Sequence, residues 1–88
     1  MSTTTRYTVV PPWTLSRTYW PFRVEVADLL DTRSGRTYVD GAQRVVDERT
    51  NKPAKRGKGG TVPFKGETAW SDAERLAQDL MFAERYAR

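Results

Sequence analysis

The stretch Phe22-Arg23-Val24-Glu25-Val26-Ala27-Asp28-Leu29-Leu30 decides the fold. Phe22, Val24 and Val26 alternate with Arg23, Glu25 and Ala27, the period-two pattern of a strand with one buried face. Immediately after it, Asp31-Thr32-Arg33-Ser34-Gly35-Arg36 reads as a turn, because Asp bonds backbone N–H groups ahead of it and Gly35 supplies a left-handed position. Residues 37–39 form the returning strand. Asp40-Gly41 is a second turn signal of the two-residue type I′ kind. Residues 42–47 then give a third strand centred on Val45 and Val46.

The first turn has an echo. Leu29-Leu30-Asp31-Thr32-Arg33-Ser34-Gly35-Arg36 and Val45-Val46-Asp47-Glu48-Arg49-Thr50-Asn51-Lys52 share the order apolar, apolar, Asp, any residue, Arg, Ser or Thr, Gly or Asn, basic. Asp starts each bend, and Gly35 or Asn51 takes the positive φ. Asp31 and Asp47 are therefore read as turn formers and not as a catalytic carboxylate pair.

Upstream, Tyr7-Thr8-Val9-Val10 is a short β-like run, stopped by Pro11-Pro12 because proline lacks the donor that a central strand needs. Residues 1–21 are expected to be irregular and aromatic, with Trp13, Tyr19, Trp20 and the adjoining Phe22 covering the open face of the sheet. Trp20-Pro21 is expected to be trans.

Downstream, Lys52-Pro53-Ala54-Lys55-Arg56-Gly57-Lys58-Gly59-Gly60 is too rich in glycine and charge to pack a core. Thr61-Val62-Pro63-Phe64-Lys65 offers a last short strand, held to an edge by Pro63. Either this run or residues 52–56 pairs with the third strand, which leaves the basic segment as a loop or a protruding hairpin tip. Residues 71–87 form the helix. Ser71 and Glu74 have capping-box spacing, and Ala73, Leu76, Ala77, Leu80, Ala83 and Ala87 fall on one stripe. Phe82 and Tyr86 lie on the opposite side. The fold class expected is α+β: a small antiparallel β-meander of three to four strands packed against one C-terminal helix. It is a single domain over residues 1–88, with the meander at 22–66 and its basic loop at 49–66.

Fifteen Lys and Arg stand against eleven Asp and Glu, for a net charge of +4. Six of the bases and none of the acids lie in residues 49–66, so that window is +6 and the rest of the chain is −2. Histidine and cysteine are absent. That excludes disulfides, thiolate nucleophiles, imidazole bases and His or Cys metal ligands, and leaves carboxylate, Lys, Tyr or Arg chemistry. The expectation is a non-enzymatic chain with no cofactor and no metal. No apolar run approaches the roughly 20 residues of a membrane span, and the first residues carry neither a signal-peptide core nor a myristoylation signal. A cytoplasmic protein with no membrane partner is expected.

The order of elements resembles the small DNA-binding domains of the arm-binding integrase and AP2 type, across roughly residues 22–87. That likeness implies a three-stranded sheet entering a groove with a helix bracing its back. A second resemblance is closer in wording. Val45-Val46-Asp47-Glu48-Arg49-Thr50-Asn51-Lys52, then Phe64, then Ala73-Glu74 with Ala77 and Leu80, is similar to a pattern in short uncharacterised proteins of actinobacteria and their phages. Those read Val-Val-Asp-x-Arg-Thr-Gly-x, a phenylalanine strand end, and an Ala-Glu-rich helix ending in Leu-Asn. This chain departs by its glycine- and lysine-rich insertion before Phe64 and by Met81 where Asn is usual. The resemblance implies the fold and a phage or mobile-element origin.

Arg56-Gly57-Lys58-Gly59-Gly60-Thr61 does not satisfy a phosphate loop, which needs Gly-Lys-Ser/Thr opening directly into a helix. The favoured partner is nucleic acid, held by Arg49, Lys52, Lys55, Arg56, Lys58 and Lys65, with Arg33 and Arg36 extending the surface. If all six cations of the segment engage, the plot of log K against log salt should slope near −5. The alternative is a phage-type accessory protein that binds and modulates a host protein. Its aromatic patch would gather Pro11-Pro12-Trp13 with Phe82 and Tyr86. Sheet-edge pairing through residues 7–10 offers a route to a homodimer.

Overall fold

The computed structural model describes residues 6–55, 60 and 63–86. Strand β2 (Phe22–Asp31) is flanked antiparallel by β1 (Tyr7–Tyr19) and β3 (Thr37–Asp47). Two-residue strands β4 (Lys52–Pro53) and β5 (Phe64–Lys65) share the outer edge of β3, so both candidate segments pair with it. Helix α1 (Ala69–Tyr86) closes the chain and packs on the sheet. The architecture is the α+β meander with one C-terminal helix.

The alternation read in β2 is the alternation of burial: Phe22, Val24 and Val26 are buried while Arg23 and Glu25 are partly exposed. Phe22, Val24 and Val45 meet Ala73 and Ala77, with Tyr19, Ala54, Phe64, Leu76 and Leu80 packed around them. Alanines at the contact let the helix lie close to the strands. Its apolar stripe ends at Leu80, since Ala83 is exposed. Ala87 lies outside the described residues.

Both aspartate turns form as one design. Asp31 Oδ1 accepts the Arg33 N–H, and Asp47 Oδ1 accepts the Arg49 N–H, each at 2.9 Å. Each Asp carbonyl accepts an N–H four residues on, from Gly35 at 2.8 Å and from Asn51 at 2.7 Å. Gly35 (φ 75°) and Asn51 (φ 59°) take the left-handed positions.

Four local expectations are corrected. Pro11-Pro12 does not stop the first strand, and residues 7–19 form one strand with register shifts between Val10 and Thr14 and between Leu15 and Arg17. Pro11, Pro12 and Trp13 stand as a bulge between the pairs Val10↔Asp28 and Thr14↔Val26, after which pairing resumes to Tyr19. An edge strand tolerates prolines there because a bulge removes the need for their donors. Trp20-Pro21, the two-residue link from β1 to β2, is cis, as is Pro11-Pro12; a tertiary amide gives up little by it. Asp40-Gly41 is a bulge inside β3 and not a hairpin turn. Residues on both sides of it pair with β2, and the Asp40 N–H reaches Asp28 Oδ1 at 3.3 Å. Finally, the helix starts at Ala69, ahead of the Ser71–Glu74 box. Thr68 precedes it, its carbonyl taking the first helical N–H from Asp72 at 2.8 Å.

The bulges of β1 and β3 lie at one level, beside Ala27 and Asp28 of β2. Burial along β2 changes parity there, from Phe22, Val24 and Val26 to Ala27, Leu29 and Asp31. Bulges bend and twist a sheet locally. The result is a near half under the helix and a far half beyond its N-terminus, in a molecule of 48 × 27 × 22 Å.

Candidate functional site

Two features stand out: a cationic edge and an aromatic cleft beside it. The edge follows from the pairing. Lys52 lies opposite Asp47 and Lys65 opposite Ala42, so they sit five β3 positions apart along one edge of the sheet, about 17 Å at strand spacing, with their side chains on opposite faces. Lys52, Lys55 and Lys65 are all exposed. Arg56 and Lys58 belong to the same segment and lie outside the described residues.

The arginines are placed differently. Among the described residues every ion pair is made by an arginine: Arg6 with Asp31, Arg17 with Glu74, Arg23 with Glu25 and Glu48, Arg44 with Glu25, and Arg49 with Asp47 and Glu84. Arg49 is not a free cation, because it straps the second turn to the helix through Asp47 and Glu84. Its carboxylate partners, Asp47 first and then Glu84, push the guanidinium above its usual pKa. In return Arg49 holds the Asp47 carboxyl below its ordinary range, against the opposing effect of burial.

Arg33 and Arg36 are exposed at the first turn, at the opposite end of β3 from Lys52. They therefore do not extend the lysine edge. Arg36 instead lies over the Tyr38 ring, 5.3 Å from its centroid.

The aromatic patch is also divided. Trp13 carries the Arg44 guanidinium over its ring at 4.4 Å. Arg44 pairs with Glu25 at 2.8 Å, and these two residues point away from Val24 and Val45, which face the helix. Trp13 thus covers the helix-free face, as expected of the N-terminal aromatics, but Tyr19 and Phe22 do not: they pack in the core against the helix, and Trp20 is exposed. Phe82 and Tyr86 stack at 6.3 Å on the helix, both exposed, on the other side of the molecule. On the helix-free face Glu25 is clasped by Arg44 and Arg23; burial would raise its pKa, and the two guanidiniums outweigh that and lower it.

The cleft has a volume of about 630 Å³ and is mainly apolar. Tyr7, Leu29, Tyr38 and Val39 wall it from the far half of the sheet, and Ala69 and Trp70 from the helix start. Exposed Asp40, Lys65 and Glu67 complete the lining, so Lys65 belongs to both features. Gly41 lets the β3 bulge pack closely against the wall: a Cβ there would lie 2.9 Å from Leu29 Cβ and 3.0 Å from Tyr38 Cβ. Trp70 is positioned by a polar cluster. The Arg17 guanidinium lies 4.0 Å from its ring centroid and is itself held by Glu74 Oε1 at 3.1 Å and by Gln43 Oε1 at 2.9 Å. Tyr19 donates to the same Glu74 oxygen at 2.6 Å, and that bond, helped by burial, pushes the phenol above its usual pKa.

Sequence reasoning missed this cleft. Tyr7, Tyr38 and Trp70 are far apart in the chain, and only the bulge at Asp40-Gly41 brings their elements to one place. The one local signal was an aromatic just ahead of the capping residues. No helix among the described residues is long and apolar enough to cross a membrane. No family model, curated protein or solved structure matches the chain.

Proposed function

We propose that this chain is a non-enzymatic nucleic-acid-binding protein that contacts phosphates along the β4–β5 edge. The observation that supports it is the division of labour among the cations. Arg6, Arg17, Arg23, Arg44 and Arg49 are paired with carboxylates, whereas Lys52, Lys55 and Lys65 are exposed along one edge with no ion pair among the described residues; Arg33, Arg36, Arg75 and Arg85 are also exposed and without an ion pair, but they lie away from that edge. Unpaired cations release condensed counterions from nucleic acid without first breaking an internal bond. Arg56 and Lys58 add to the same segment by sequence.

With Arg49 withdrawn, five cations remain, and log K against log salt should slope at about −4.5 if all engage. The test is fluorescence anisotropy on a labelled oligonucleotide across a salt series. Lys52/Lys55/Lys65→Ala should flatten the slope by about 2.7 and weaken binding at every salt concentration. An unchanged slope in that variant overturns the reading.

One observation favours a second reading, a protein partner at the helix. Phe82 and Tyr86 are stacked and 47% and 76% exposed, the kind of aromatic pair that anchors interfaces. Pull-down of a specific host protein that is lost in Phe82→Ala, with folding intact, would support this reading over the first. A homodimer through residues 7–10 is a further proposal, tested by the oligomeric state in solution.

A further inference from the structure

We infer that the nucleic acid bound is single-stranded and that the cleft beside Lys65 receives an unstacked base. This rests on the phosphate-edge reading above and adds the substrate class. Lys65 joins the two features, because it lies on the cationic edge and also lines the cleft. A phosphate held there places its own nucleoside at the cleft mouth.

The lining selects what enters. Tyr7, Tyr38 and Trp70 line a mainly apolar wall, each with an arginine over one face of its ring and one face left for a ligand, and base–aromatic stacking is the usual source of sequence-tolerant single-strand affinity. Asp40 and Glu67 repel a phosphate from the interior and accept hydrogen bonds from exocyclic amines. The charge pattern thus sorts backbone to the edge and base to the cleft. Trp70 is half exposed, and Arg17, fixed by Glu74 and Gln43, holds it in place before any ligand arrives. A duplex reaches such a cleft only by unpairing and unstacking a base.

The experiment compares three labelled probes of equal length at fixed salt: a single strand of mixed sequence, its duplex, and a strand of abasic residues. The single strand should bind about tenfold or more tighter than either other probe. Trp70→Ala and Tyr38→Ala should each bring its affinity towards that of the abasic strand, with the salt slope unchanged. Should Trp70→Ala disturb the helix, the abasic comparison on the unmodified protein still decides. Equal binding of all three probes with a lysine-dependent slope overturns the cleft and leaves the phosphate edge standing. Failure to bind any probe overturns both.

Discussion

Asp31 accepts the Arg33 N–H through Oδ1 and the Gly35 N–H through its carbonyl, and its side chain is 3% exposed. Burial alone would raise its pKa, but the Arg33 N–H and the Arg6 guanidinium, 3.4 Å away, outweigh it and lower the value. A carboxyl with a depressed folded pKa stabilises fully above its unfolded value, about 3.9, and that stabilisation is lost as pH falls through the folded value. Asp31→Asn keeps an acceptor for Arg33 and removes the charge facing Arg6. Its urea midpoint should therefore lie below the parent's at neutral pH, and the two should converge in strong acid. A constant gap across that range would show that the charge contributes nothing. Gly35 is the other half of the turn. It sits at φ 75°, with open space where a Cβ would stand. Gly35→Ala should therefore cost about 1 kcal/mol through backbone strain alone, read from the same urea curves.

The helix start separates local from tertiary information. Ser71 and Glu74 have the spacing of a capping box, yet Ser71 Oγ bonds the Thr68 carbonyl at 3.3 Å and Glu74 is drawn away to Arg17 and Tyr19. Ser71→Ala should change stability by no more than about 0.5 kcal/mol. Glu74→Ala should cost about 1–3 kcal/mol, because it strands a largely buried guanidinium whose Nε already lacks a partner. Thermal melts of the two variants check the order. What was legible in the chain follows the same line. The β2 alternation, the two Asp turns and the Ala73–Ala77 stripe rest on neighbours within a few residues, and each forms as its local pattern implies. Pro11-Pro12 and Asp40-Gly41 carry ordinary turn chemistry, and nothing local says that a continuous β2 runs past both and converts them into bulges. For the site, the cations were visible as composition. Which of them are paired, as Arg49 is, and which stay exposed, as Lys52 does, depends on partners such as Glu84, thirty-five residues from Arg49.

The net charge of the whole molecule says less than where its charges stand along the long axis. β3 has eleven residues, so about 30 Å separates the Arg33–Arg36 turn from the Asp47 turn beside Lys52. The Debye length at physiological salt is about 8 Å, so a cation at one end contributes almost nothing to a phosphate bound at the other. In the sequence Arg33 and Arg36 resemble the cations of the basic segment because the two turns share one design, but that design recurs at opposite ends of a strand. Arg33/Arg36→Ala should consequently leave the salt slope of oligonucleotide binding at the β4–β5 edge unchanged at physiological salt, and any loss of affinity should come through Arg36, which lies over the Tyr38 ring of the cleft. An oligonucleotide short enough to cover only the β4–β5 edge makes the comparison clean. If instead this pair flattens the slope by about 1.8 while Lys52/Lys55/Lys65→Ala leaves it alone, the phosphates lie on the far turn. The far half of the sheet, and not the β4–β5 edge, would then be the binding end of the molecule.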